Sequence, residues 1–439
     1  MPQTEPPIES TDIAVTGMGA VSAYGAGVDK LWSSLLAGRT AVTELSDPAL
    51  RALCPGAGQV TDFDPGAFMP RKWVNDTARF SQLALAAAME ALVDAGLSAD
   101  AGQHLHHDGP PQRIGVFIGT GFGGVAAMDA GAATLAQKPD ARVGPRLVSK
   151  SVPNAAAGTL AIYYGIAGPV LTYTTACASA ANALGEALLW LRSGRIDFAL
   201  AGGTDSLLTP SILAGLRDSG AVATHGSGDV STWSRPFDRS RQGMLPAEGA
   251  AVFVLEPLHR AARRGARVRS LLAGYGTSND AYHQIAPHPE GMGAVLAIEG
   301  ALADAGLTPA DIDYINAHAT ATKAGDDVEA KALWQVFGER LAEIPVSSVK
   351  GHIGHAFGGA GALEAVACIR ALETGWLPPT LNCDDLDEGM PPDVVPHQAR
   401  QQPIDTALST SFGFGGQNGA LVFRKGAVSA ASGSSTASE

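Results

Sequence analysis

The sequence predicts an α/β fold built from two similar halves, and three observations carry that prediction. Short apolar runs of strand length alternate with longer amphipathic runs of helix length along most of the 439 residues. A helical segment closing on Asp-Ala-Gly and followed by a short apolar strand occurs twice. Apolar residues make up 46% of the chain against 17% charged, a globular composition able to fill a large core.

Each element has a local reason. Asp12-Ile-Ala-Val-Thr-Gly is a compact apolar run ending in glycine and reads as a buried strand. From Phe80 to Gly96 the spacing predicts a helix that stops on a glycine just past its end. Arg113 to Ile118 supplies the next strand, and the β-branched and aromatic residues from Leu171 supply another. After Cys177 an amphipathic helix places Ala181, Leu184, Leu188 and Leu191 on one face and stops at Ser193-Gly194. The plan then restarts: a helix from Gly291 to Gly306, a strand from Ile312 and a helix from Ala362. Two halves, 12–257 and 258–425, follow, joined near the arginine-rich stretch Arg260–Arg269. Residues 1–11 and 426–439 are poor in core-forming side chains and read as flexible extensions.

Composition narrows the function. The net charge of −13 argues against a nucleic-acid binder, which needs a basic face. No apolar run reaches the roughly 18 residues of a membrane span, and the first residues lack the pattern of a signal peptide. Four cysteines without a CxxC pair make neither a disulfide framework nor a zinc site, so a cytoplasmic enzyme is expected.

Cys177 stands at a strand-to-helix turn, where unpaired N–H groups and the positive end of the helix dipole favour thiolate. It reads equally as a nucleophile for a thioester carbonyl or as a small buried residue. Cys54, Cys368 and Cys383 have no such setting. Proton-handling partners are offered by His318, after a strand, and by His355, ahead of a helix, both among small residues that let a substrate arm approach. His352 and His355 are spaced as a metal pair, but no third ligand stands at motif spacing. His104, His106 and His107 read as a solvated loop. Gly119-Thr-Gly-Phe-Gly-Gly124 satisfies GxGxxG, but with no good helix following at once and no acidic strand end about 20 residues on, a dinucleotide site is not expected.

Together these segments resemble the β-ketoacyl-acyl-carrier-protein synthases, above all the synthase II type. The resemblance runs from about Asp12 to Lys425. It is carried by Thr175-Ala-Cys-Ala-Ser, Arg235-Pro-Phe-Asp-Arg, Asn279-Asp-Ala-Tyr-His, Asn316-Ala-His-Ala-Thr-Ala-Thr, Lys350 with Gly354-His355, and Ser411-Phe-Gly-Phe-Gly-Gly-Gln-Asn. It implies a thiolase-type fold, two α/β halves packed as five layers, usually dimeric. It also implies decarboxylative condensation of malonyl-carrier with an acyl chain on Cys177. His318 and His355 would hold the enolate oxygen, and Lys350 with Glu364 the charge network. The amides of Cys177 and Phe414 would form the oxyanion hole. Phe414 would be a gate moving with Asp280, and Thr320 and Thr322 would bind the pantetheine arm. No metal or redox cofactor is implied. The implied partners are an acyl carrier protein, malonyl and acyl thioesters, and either a second copy or a chain-length-factor-like subunit. No nucleic acid or membrane is implied. A thiolase would carry a second cysteine where Gly413–Gly416 stands.

The chain departs from the family pattern at Ala319 and Ala321, where glycine or another small residue is usual, and at Met244, where phenylalanine is. Phe122 stands at a far-pocket position commonly held by isoleucine, which predicts a preference for short or unusually shaped acyl chains. Arg146 stands where an apolar residue is expected near the same wall across the dimer, and reads as a contact to a polar substrate group or partner subunit, or as a surface salt bridge. Two readings compete on pathway, fatty-acid elongation and a type II polyketide or polyene system. A non-catalytic partner subunit is disfavoured because Cys177, His318 and His355 are all present. Arg260, Arg263, Arg264, Arg267 and Arg269 could steer an acidic carrier protein or form a solvated edge.

Overall fold

The computed structural model describes residues 12–98, 105–107 and 109–426. The expected extensions, apart from Gly426, and His104 lie outside them. Strands β1 (Ile13–Ser22), β2 (Ile114–Gly119), β3 (Val170–Tyr173), β4 (Phe198–Asp205) and β5 (Gly249–Pro257) belong to the first half. The second half holds β6 (Ser270–Asn279), β7 (Tyr314–Asn316), β8 (Val346–Ser347), β9 (Thr406–Gly413) and β10 (Gln417–Lys425). The sheet order is β3-β2-β4-β5-β1 in the first half and β8-β7-β9-β10-β6 in the second, so one topology is used twice. In each, the second strand runs parallel to the third and fourth, and the fifth runs antiparallel to the fourth and first. The halves join through an antiparallel pairing of β1 with β6, Ile13 opposite Leu272.

Helices repeat with the strands: α1 (Arg79–Asp94), α2 (Ala155–Tyr164) and α3 (Ser179–Arg192), then α4 (Met292–Ala305), α5 (Lys323–Phe337) and α6 (Ala360–Thr374). α1 and α2 cover the outer face of the first half, and α4 and α5 that of the second. α3 and α6 touch each other and both sets of strands, which gives the layers α-β-α-β-α. Their composition suits that central place. Buried alanines on several faces let strands approach from both sides, and the expected face of Ala181, Leu184, Leu188 and Leu191 is fully in the core.

The repeat has a signature that patterning alone did not single out. A Cβ at Gly19 of β1 would stand 2.0 Å from the Ala87 carbonyl of α1. At Gly276 of β6 it would stand 2.0 Å from the Ala297 carbonyl of α4. α1 and α4 therefore each lie directly on a glycine of their half's first strand.

Three expectations are corrected here. A helix, Val125–Gln137, does follow the GxGxxG segment. His107 is not solvated: its ring stacks on Phe198 at 5.6 Å and its Nδ1 accepts from the Gly109 amide. The arginine-rich stretch is largely internal glue. Arg264 binds Glu256, Arg260 lies 3.4 Å from Asp197, and Arg269 bridges Asp94 of α1 to Glu373 of α6. No helix among the described residues is long and apolar enough to cross a membrane.

Candidate active site

Cys177 lies in a one-turn helix (Ala176–Ala178) between β3 and α3. Ala176 takes φ 50°, a left-handed conformation that costs an alanine about 1–2 kcal/mol. Ser179 holds the turn by accepting from the Thr175 amide and donating to the Ala176 carbonyl, and Asn182 binds the Thr175 hydroxyl. The sulfur is buried and 3.0 Å from His355 Nε2, and the Phe414 backbone amide favours its charged form. A Cβ at Gly413 would stand 2.8 Å from the Cys177 nitrogen, so glycine lets the two amide-bearing segments converge. The expected bias toward thiolate is overturned. Burial pushes the thiol up to about 12, outweighing the pull of Lys350 and of the Phe414 amide.

His318 leaves β7 with its backbone fixed by a residue the sequence reading missed. Glu329 of α5 accepts the amides of His318 and Ala319 and the Thr410 hydroxyl. The available signal was an acidic side chain on the buried face of that helix, beside Ala330 and Leu333. Lys350 Nζ stands 3.4 Å from His318 Nδ1 and pairs with Glu364, both nearly inaccessible. An ammonium has no lone pair and can only donate, which assigns the His318 proton to Nε2, the nitrogen left free to face substrate. His355 is held by backbone bonds to Leu245 and Ala247, and its ring stacks on Phe357 at 4.5 Å and 26°. Burial, reinforced by Lys350, lowers both imidazoles well below 6.5 and keeps them neutral at neutral pH.

The sulfur and one nitrogen from each imidazole lie within 4.8 Å of one another. These donor types also suit zinc, but Lys350 donates onto His318, so the set is arranged for neutral hydrogen bonding. His352 plays no part in it, its ring lying between the carbonyls of Arg39 and Pro379.

The three side chains line a cavity of about 450 Å³. Phe412, Phe414 and Met244 line it beside them, with Thr320 and Thr322 further along, their hydroxyls 2.9 Å apart. Asp280 also borders it, accepting from Asn418 and the His288 amide, while its own amide donates to Gly416. It thus ties the 280–288 loop to the Phe414–Gly416 turn. Phe122 does not line the cavity: its ring packs edge-on against Phe357 behind it. Arg146 lines a separate depression and pairs with Asp76 at 2.8 Å, the surface salt bridge that is one of its readings.

The GxGxxG turn is filled from within. The Asp205 carboxylate accepts the amides of Gly121 and Phe122, the donors a phosphate would need.

With the geometry in place, the comparisons are specific. The family model for the N-terminal domain of β-ketoacyl synthases matches residues 10–261, and that for the C-terminal domain matches 269–384. The chain belongs to the β-ketoacyl synthase family. It is 37% identical over 415 residues to the 3-oxoacyl-[acyl-carrier-protein] synthase 2 of Vibrio harveyi, covering 94% of this chain and 98% of that one. Among solved structures it is similar to the ishigamide ketosynthase/chain length factor, with 33% identity, TM-score 0.86 and coverage of 95% and 99%. It is also similar to a type II polyketide synthase acyl-carrier protein in complex with its ketosynthase bound to the hexaketide, with 31% identity, TM-score 0.85 and coverage of 95% and 99%. As a β-ketoacyl synthase it keeps the thiolase-type fold, and the second half's family model stops short of β9 and β10, the hairpin that carries Phe412 and Phe414.

Proposed function

We propose that the protein extends acyl chains by decarboxylative Claisen condensation, giving a 3-oxoacyl-acyl-carrier-protein. The observation that carries this is the convergence of one thiol and two neutral imidazoles on one cavity. In the first half-reaction the sulfur of Cys177 attacks the acyl thioester. Its proton passes through His355 to the departing pantetheine sulfur. In the second, the malonyl carboxyl leaves as CO₂ and its bonding electrons form an enolate, whose oxygen accepts from the imidazoles of His318 and His355. The enolate carbon attacks the Cys177 thioester, the amides of Cys177 and Phe414 receive the oxyanion, and the sulfur departs and takes up from solvent the one proton that the overall reaction consumes. Thr320 and Thr322 bind the pantetheine arm, and Phe414 gates the acyl side with Asp280. No step calls for a metal or redox cofactor.

Two surfaces support the partners. Arg142, Arg146 and Lys150 border one depression beside the helix bearing exposed Arg71 and Lys72, a basic surface suited to an acidic carrier protein. The edge strand β3, with Val170, Ile162 and Val148 exposed nearby, suits pairing with a second ketosynthase-like subunit. Four buried free cysteines fit a reducing cytoplasm.

The likeness to a ketosynthase/chain length factor favours a second reading of the pathway, in which the same chemistry builds a polyketide on a heterodimer. The test incubates acyl-carrier and malonyl-carrier proteins with the enzyme and reads products by mass spectrometry. A 3-oxoacyl product is expected, with H318A trapping the acyl chain on Cys177 without condensation and H355A slowing the loading of Cys177 as well. Acylation that spares Cys177 would refute the assignment.

A further inference from the structure

Asp205 ends β4 with a fully buried carboxylate that takes four neutral donors. Oδ1 accepts from the Thr120 hydroxyl at 2.7 Å and the Phe122 amide at 3.2 Å, and Oδ2 from the amides of Gly121 at 2.8 Å and Gly358 at 2.7 Å. The first three lie on the turn after β2, and the fourth on the turn that follows His355. These turns come from different halves of the chain and meet around this carboxylate. A Cβ at Gly358 would stand 2.1 Å from the Gly121 nitrogen and 2.7 Å from Asp205 Oδ2.

Each turn carries a ring. Phe122 and Phe357 meet edge-on at 5.6 Å, and Phe357 lies flat on His355. Phe357 holds φ 46°, a conformation bulky residues avoid, so its neighbours must hold it there. The Gly358 amide, bound to Asp205, is the next donor along the chain.

We propose that Asp205 is a positioning residue: by clamping the two turns it sets the Phe122–Phe357–His355 stack, and through it the placement of His355 Nε2 against Cys177 and the enolate oxygen. Only a carboxylate offers four acceptor sites and no donor in this volume. An amide there would turn N–H groups onto N–H or O–H groups. The inference rests on the condensation reading for its rate test, and on geometry alone for its structural test.

In the rate test, D205N is expected to lower malonyl-carrier decarboxylation on the acylated enzyme about 10- to 100-fold, the cost of a small misplacement of a reacting group. KM should stay within about twofold, and D205E should recover most of the rate. A D205N rate equal to wild type, or a loss confined to KM, overturns the proposal. In the structural test, a crystal structure of D205N should show Phe357 displaced from His355 and the sulfur–imidazole contact lengthened; an unmoved stack overturns it. If D205N does not fold, T120V removes one donor and both tests apply to it with the same signs. If wild type forms no 3-oxoacyl product, the condensation reading fails, while the crystal structure still decides the clamp.

Discussion

At Cys177, burial and local hydrogen bonding act in opposite directions. The turn supplies the Phe414 amide and Lys350 supplies charge, yet removing the sulfur from water is the larger effect and raises its pKa. The resting pair is therefore thiol and neutral imidazole, with deprotonation coupled to attack. Alkylation of Cys177 by iodoacetamide, followed by intact mass, should accelerate steadily as pH rises from 6 to 10. A plateau near neutrality would mean a preformed thiolate and contradict this account. Phe122 acts at the same scale. Its ring stands behind Phe357 rather than in the open cavity, so it limits how far the Phe357 side can give way to an acyl chain. Over-filling a packed site costs about 1–3 kcal/mol. Phe122→Ala should therefore move preference toward longer chains by about tenfold or more in a chain-length series; an unaltered series would remove Phe122 from specificity.

Among the elements, the junction of the one-turn helix Lys350–Ile353 with α6 sets the electrostatics of the site. Lys350 and Glu364 face each other with only 2% of either side chain exposed. Removing one partner strands a charge, at about 3–5 kcal/mol. Lys350→Met should lower unfolding stability in urea by that order, and adding Glu364→Leu should restore much of it. Decarboxylation should stay impaired in both, because His318 Nδ1 loses the donor that fixes its tautomer. Full activity in the double variant would remove Lys350 from the mechanism.

On the scale of the whole molecule, one topology used twice brings β3 to one edge of the sheet and packs the nucleophile's helix, α3, against α6 in the middle. The open edge of β3 is where the proposed pairing with a second subunit would form. Val170→Asp should shift sedimentation toward the monomer if the edge pairs with a second subunit, and unchanged sedimentation would place the interface elsewhere. The basic depression makes a separate prediction. Arg142→Glu should raise KM for carrier-bound substrate, less so at high salt, and leave a carrier-free pantetheine substrate unaffected. A salt-independent effect would point to misfolding instead.

Much of this architecture was legible before any coordinates. The helices ending near Gly96, Gly194 and Gly306 appear where those glycines stop them, with φ between +66° and +68°. Motifs single out Cys177, His318, His355 and Lys350; the first three line one cavity, and Lys350 stands against His318 and Glu364. Less legible were the groups that act through space. The arginine-rich stretch looked like a free cationic patch because its carboxylate partners, Asp94, Glu256 and Glu373, are remote in sequence or on other elements.

The sequence by itself determined the repeated α/β plan, the family and the identity of the reacting side chains, because periodicity, helix stops and motif spacing are properties of neighbours along the chain. Only the tertiary structure decided that sulfur and imidazole, 178 positions apart, meet at 3.0 Å, that the thiol rests protonated, and that Asp205 fills the glycine turn. Contact, desolvation and field strength depend on distance through folded space, which local pattern does not encode.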